Sequence, residues 1–484
     1  MAANLKILMI AAEVAPFAKT GGLGDVAGAL PKALAAMGHD VRVVTPAYPA
    51  QERAAATGAQ GIAPLTGELS VPVSPGPLPA GILRGTLPGS DVPVYFVAER
   101  NLFDRPRIYG YDDDPYRFAF LGRAALELCG ALNFRPDVVH AHDWHGAPAI
   151  LWLATAGESN PRFAGTPTLF TIHNLAHQGR ARRGVLGYLG ATPPPIREEG
   201  GDEVNFMARG IYHGTIVNTV SPTYAREILS ETGGSGLDGL LRFRHYDVHG
   251  ILNGLDTDVW NPAADVRLPL AFDEKSPERR AASKRALQEG LGLRMDERVP
   301  LVAMVTRLDA QKGMEITGRV IELLLSGRAG EAQFVVLGTG AKLYEDMFAS
   351  LAAAHPGRMS AVLTFAGELA PLIYAGSDVF LMPSLFEPCG LGQLIAMRYG
   401  SVPVVRETGG LADTVQEGVT GFTFGPYTAE AFWAALQRAL LTRATDRDGW
   451  RRIQIAGMSA DHSWAGAARG YDQLYRWALA RRGR

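Results

Sequence analysis

Residues 5–12 are apolar except for Lys6, with an unbroken run over 7–12 that stops at Glu13. A continuous run fits a parallel strand buried on both faces, because a half-exposed strand alternates. Residues 26–37 then read as a helix closed by Gly38, and 41–45 returns to a short apolar run, a second strand. Residues 92–98, 138–141, 168–172 and 216–220 predict further strands, with helical patterns between several of them. Over 56–90, Gly, Pro and Ala interrupt the pattern, which predicts irregular hairpins or loops at the edge of this half. The same grammar then restarts. Residues 299–305 predict a strand, 313–326 a helix, 334–338 a strand and 341–355 a helix, followed by strands at 362–365, 379–382, 402–405 and 421–424. Strands alternating with helices imply a parallel sheet covered on both faces, so the chain is expected to form two doubly wound α/β domains with a cleft between their strand C-termini. Turn chemistry around Asn253-Gly254 and Trp260-Asn261-Pro262 predicts the hinge. Nothing in the amphipathic pattern of 464–481 alone assigns that stretch a neighbour.

Length supports the division: 484 residues exceed one ordinary core. A hydrophobic content of 47% with 20% charged residues describes a globular chain, and a net charge of −2 gives no basic footprint for nucleic acid. Two cysteines far apart in sequence, Cys129 and Cys389, argue against a disulfide framework and for a reducing compartment. No stretch approaches the roughly 20 apolar residues of a membrane span, and the opening run is too short for a signal segment. The expectation is a cytoplasmic protein.

The hexapeptide Thr-Gly-Gly-Leu-x-Asp occurs at 20–25 and again at 408–413. Such glycines let backbone N–H groups approach an anion at a helix start. Lys19 precedes the first copy and Glu407 the second, so the two differ chemically. Arg307 and Lys312, five residues apart between a strand and a helix, could hold a diphosphate; the same spacing also fits a solvated loop with two surface cations. In 384–391 a further strand-to-helix turn carries Glu387, either steadying positive charge at a sugar carbon or simply favoured near a helix start. Cys389 has no neighbouring base in sequence and reads as a packing residue. Two histidine clusters, 140–145 and 172–177, lie at strand ends, where polar side chains suit sugar hydroxyls better than zinc; His140 reads as a satisfied core histidine. Asp112-Asp113-Asp114 reads as a solvated loop, Asp256-Thr257-Asp258 lies in the hinge, and neither is expected to hold metal.

Taken together these segments resemble bacterial glycogen (starch) synthase, the ADP-glucose-dependent retaining glycosyltransferases of family 5 with the GT-B fold. The resemblance runs through 12–14, 19–25, 140–143, 171–179, 219–225, 250–256, 307–313, 375–378, 382–391 and 408–415. It implies a GT-B architecture: residues 1–255 as the acceptor-side domain, 256–455 as the nucleotide-sugar domain, and a helical segment, 456–484, crossing back to the first. It implies transfer of α-D-glucose from ADP-glucose to the non-reducing O4 of an α-1,4-glucan, with no cofactor and no metal. Arg307 and Lys312 would bind the diphosphate, with Lys19, Gly21 and Gly22 closing on it from the other domain, which implies closure on donor binding. Glu387 would stabilise the oxocarbenium-like state, and His173 and Asn253 would contact the glucose. Cys389, Gly390 and Leu391 would line the pocket, Phe365 would stack on adenine, and Glu13, Asp25, Asp143 and Asn174 would serve the acceptor. Glu407 and the second glycine loop would line the far side of the donor pocket.

The chain departs from the family at Gly392, where Thr is usual, and at His177, where Tyr is usual. Arg180, Arg182 and Arg183 lie where acceptor choice could have drifted, so another retaining GT-B transferase with a small acceptor is the first alternative. A catalytically silent glucan-binding protein is the second, and retention of Lys19, Arg307, Lys312 and Glu387 speaks against it. A pyridoxal-phosphate-dependent phosphorylase is the third, and a cofactor absorption band would mark it.

Overall fold

The structure, a computed structural model, describes residues 3–65, 67–328 and 330–483. The chain divides into two compact units, one formed by residues 1–254 with 464–484 and the other by 255–463.

In the first unit the strands are β1 (Lys6–Ile10), β2 (Asp40–Pro46), β3 (Ala63–Pro64), β4 (Leu69–Val71), β5 (Leu78–Thr86), β6 (Pro93–Ala98), β7 (Val138–His142), β8 (Thr168–Ile172), β9 (Arg180–Arg182), β10 (Glu203–Asn205), β11 (Ile216–Thr219) and β12 (Val248–Gly250). The main sheet runs β12-β11-β8-β7-β1-β2-β6-β5-β3, parallel from β12 to β6 and antiparallel beyond. Its central strands are buried on both faces, as β8 is throughout even though Thr168 and Thr171 break its apolar pattern. The segment expected to be irregular holds the nine-residue β5, which pairs with β6 and with both short strands β3 and β4. An antiparallel edge ribbon tolerates the Pro and Gly that hid it.

Further strands are β13 (Leu301–Val305), β14 (Gln333–Leu337), β15 (Met359–Val362), β16 (Val379–Met382), β17 (Val402–Arg406) and β18 (Phe422–Phe424), in the parallel order β15-β14-β13-β16-β17-β18. Strand β15 ends where the sequence pattern has it begin. It is an edge strand in register with β14 through Ser360↔Val335, and partial exposure lets a serine interrupt its apolar run. Phe365 therefore lies beyond the sheet.

In both sheets the chain starts in the middle, winds one way and then reverses. The reversal falls between β1 and β7 in the first unit and between β13 and β16 in the second. Loops leaving the C-terminal ends of strands at such a switch point diverge and leave a crevice, the usual ligand position in open α/β sheets.

The last helix, Trp464–Arg481, packs into the first unit's core through Trp464, Tyr471, Leu474 and Tyr475. Among the described residues no helix is long and apolar enough to cross a membrane.

Candidate active site

At the switch point of the second unit, the loop after β13 carries Arg307 and Lys312, and the loop after β16 carries Glu387. Asp309 caps the turn through the Lys312 N–H at 3.1 Å, and Gly313 adopts φ +79°. A Cβ at Gly313 would lie 2.1 Å from the Pro383 carbonyl oxygen, so only glycine lets the two loops touch. They are laced further by Leu385 N–H donating to the Gln311 carbonyl at 2.8 Å. This brings Lys312 Nζ to 2.6 Å from Glu387 Oε2, to which Ser384 Oγ also donates at 2.9 Å. Glu387 is buried, whereas Arg307 is half-exposed and 3.5 Å from Asp309. Phe365 is 89% exposed on its loop.

The second Thr-Gly-Gly-Leu loop follows β17, not the first strand of its sheet, so the two copies occupy non-equivalent positions. Gly409 (φ +44°) and Gly410 lie against the turn at Glu387: added Cβ atoms would fall 1.9 Å from the Glu387 oxygen and 2.2 Å from the Cys389 oxygen. These glycines brace the Glu387 turn. Glu407 accepts from Thr423 Oγ1 at 2.7 Å, and Cys389 is buried.

In the first unit, the loop after β1 carries Glu13 and the first glycine copy. The buried Glu13 carboxylate accepts from the Thr20 N–H, Thr20 Oγ1 (2.7 Å), Gly21 N–H (3.0 Å) and Tyr109 Oη (2.7 Å). Its oxygens thus organise the loop. Here added Cβ atoms on Gly21 and Gly22 would meet nothing within 4 Å, which leaves both backbones approachable. Lys19 Nζ pairs with Asp25 at 2.7 Å.

Across the same switch point, β7 delivers Asp143 in a left-handed conformation (φ +52°). Its Oδ1 accepts the His173 N–H at 2.7 Å and the Asn174 N–H at 3.4 Å, tying the ends of β7 and β8 together. Burial pushes the Asp143 carboxyl up to about 7 against the pull of those two N–H groups. Burial likewise pushes His173 down to about 3, so its imidazole is neutral. His173 Nε2 lies 2.9 Å from His142 Nδ1. Asn253 is buried, and its Oδ1 has no hydrogen-bond partner.

Sequence similarity now bears on this geometry. The family model "Starch synthase catalytic domain" matches residues 6–243, and "Glycosyl transferases group 1" matches 299–442. A glycogen synthase 2 of Geobacter sulfurreducens is 47% identical over 497 residues, covering 99% of this chain and 100% of that protein. A glycogen synthase of Geotalea uraniireducens is 44% identical with the same coverage.

The chain belongs to the glycogen synthase family.

It is accordingly a glycosyltransferase with the GT-B fold. The catalytic domain of starch synthase IV from Arabidopsis thaliana, solved bound to ADP and acarbose, superimposes with a TM-score of 0.91 at 36% identity, over 99% of this chain and 100% of that one. A sucrose-phosphate synthase from Thermosynechococcus elongatus shares the fold alone, at a TM-score of 0.61 and 18% identity.

One sequence expectation needs correction in this family member. Asp112–Asp114 is only in part a solvated loop: Asp112 is exposed in a turn, but Asp114 is buried, accepts the Gly110 N–H at 2.8 Å and pairs with the fully buried Arg117, while Asp113 pairs with Arg105 at 2.6 Å. A guanidinium without water needs that counter-charge. Arg180 pairs with Glu203 at 2.7 Å across the antiparallel β9–β10 pair, beside an open cavity of about 630 Å³ lined by Trp144, His177, Gln178 and Arg180. Tyr109 and Ser384 escaped the sequence reading because nothing in their local patterns marks them. Among the described residues no group of three or more His, Cys, Asp or Glu side chains is placed to hold a metal ion.

Proposed function

We propose that the chain transfers the α-D-glucosyl group of ADP-glucose to the non-reducing-end O4 of an α-1,4-glucan, with retention and release of ADP. The observation that carries this reading is the 2.6 Å Lys312–Glu387 pair with Arg307 on the adjoining strand end. One strand end offers two cations to a diphosphate that gains negative charge as it leaves. The next offers a carboxylate to an anomeric carbon that gains positive charge. Fixed charges aimed at developing charge lower the barrier most where water is excluded, and Glu387 is buried. The glycogen synthases among its relatives and the ADP bound to the plant enzyme support the choice of donor and polymer.

In this reading Lys19 and the N–H of Gly22 serve the phosphates, while Glu13, which holds the Gly21 N–H, serves indirectly by fixing their loop. His173 and Asn253 meet glucose hydroxyls; the unpartnered Asn253 Oδ1 is an acceptor waiting for one. Asp25, Asp143 and Asn174 serve the acceptor. Cys389, Gly390 and Leu391 line the pocket, and Phe365 covers the adenine. With Glu387 as the carboxylate at the donor carbon, retention proceeds on one face, the leaving phosphate taking the proton of the attacking O4–H. This differs from the paired carboxylates of retaining hydrolases. The reading invokes no cofactor, no metal, no nucleic acid and no membrane, and it sets the activity in the cytoplasm.

The test is incubation with ADP-[14C]glucose and glycogen. Label should become polymer-bound and be released by an α-1,4-specific amylase, with UDP-glucose competing weakly. Label recovered in a small soluble product would instead favour a small-acceptor transferase.

A further inference from the structure

Four histidines crowd the ends of β7 and β8, and the proposed reaction uses one of them, His173. The hydrogen bonds around two of the others, His140 and His142, fix their proton positions. Thr171 Oγ1 donates to Asn218 Oδ1 at 2.5 Å, so toward His140 it acts as acceptor and His140 Nε2, 2.6 Å away, carries a proton. His140 Nδ1 then accepts from Tyr475 Oη at 2.8 Å. The His140 ring is held from both sides, and it stacks on His142 with centroids 4.1 Å apart. His142 is fully buried, with its Nδ1 2.9 Å from His173 Nε2 and its own Nε2 without a partner.

One of the two facing nitrogens must donate. A proton on His142 Nε2 would strand a buried N–H, and orphaned buried donors are rarer than under-used acceptors. The proton therefore belongs on His142 Nδ1, where it is shared with His173.

We infer that His142 is a positioning residue: its Nδ1–H donates to His173 Nε2, fixing His173 as the Nδ1–H tautomer with that N–H as the donor offered to the transferred sugar. The His173 main chain is pinned independently by Asp143, so His142 sets the ring and its proton rather than the loop. Neither ring needs to titrate for this, and burial keeps both neutral. The sugar contact rests on the function proposed above; the tautomer does not.

The experiment uses the full chain labelled with 15N-histidine. Long-range proton–nitrogen spectra of the wild type should show His173, identified by its loss in His173→Asn, in the Nδ1-protonated form. An Nε2-protonated His173 in the wild type overturns the inference without any variant at 142 having to fold. His142→Asn keeps a donor where Nδ1 stood and should retain kcat within about threefold. His142→Asp offers acceptors alone, should switch His173 to Nε2–H, and should lower kcat about thirtyfold with the donor KM moving less than threefold. Equal kcat in folded Asn and Asp variants would also overturn it. Should His173→Asn itself transfer at the wild-type rate, the sugar contact fails while the tautomer result stands.

Discussion

Glu387 receives Lys312 and Ser384 on the same oxygen, Oε2. Neutralising the carboxyl would leave the partly buried Lys312 facing a dipole instead of a charge. Glu387→Gln should cut kcat by about 10²–10³, the scale seen when one preorganised electrostatic contact is lost, while calorimetric titration still detects ADP. Full turnover in that variant would sink the role. Asp143 yields a prediction of opposite sign for stability. Its folded carboxyl titrates near 7, above the ordinary 3.8, so the folded state holds the proton more tightly. That contribution is complete below about pH 4 and is lost as pH rises through 7. Asp143→Asn keeps an Oδ1 to accept the His173 and Asn174 N–H groups. The wild type should fall in melting temperature between pH 5 and 8, and the variant should lose that fall yet transfer glucose at least tenfold more slowly. A parallel pH dependence in the two proteins would exclude an ionising Asp143.

The two glycine loops separate what an element needs for folding from what it needs for ligand approach. Gly409→Ala must hold a left-handed φ and push its Cβ into the Glu387 carbonyl, so it should cost about 2–3 kcal/mol in a denaturant melt. Gly21 is extended, with open space around it, so Gly21→Ala should melt like the wild type but raise the donor KM severalfold. Equal destabilisation of both would refute the distinction. This difference was invisible in the sequence, where the hexapeptides are alike. The buried parallel strands were legible where burial on both faces writes an unbroken apolar run, and β13 and β16 fall where that run lies. The edges were not: β5 and β15 are partly exposed and admit Gly, Pro and Ser. Among the site residues, Arg307, Lys312 and Glu387 announced themselves as charges at strand ends. Tyr109 did not, because its bond to Glu13 spans 96 residues and depends on strand order, which no local pattern encodes.

Across the whole chain, the last helix belongs to the first unit and makes that unit discontinuous in sequence. Trp464, Ala468, Tyr471, Leu474, Tyr475 and Ala478 are buried in its core, and Tyr475 and Tyr471 reach His140 within β7 and Asn218 within β11. Burying an apolar side chain of this size contributes about 1.5–3 kcal/mol. Four such residues approach the 5–15 kcal/mol that holds a typical domain together. The two tyrosine hydroxyls add a penalty of their own, since their loss leaves buried polar partners unsatisfied. A chain ended after Ser463 should therefore lose the fold of the first unit while the second, continuous over 255–463, keeps its own sheet and core. Limited proteolysis of the truncated chain should leave a resistant fragment close to 255–463, and glucosyl transfer should vanish. If the truncated chain instead resists digestion throughout and remains active, the helix is an accessory and the first unit is stable without it.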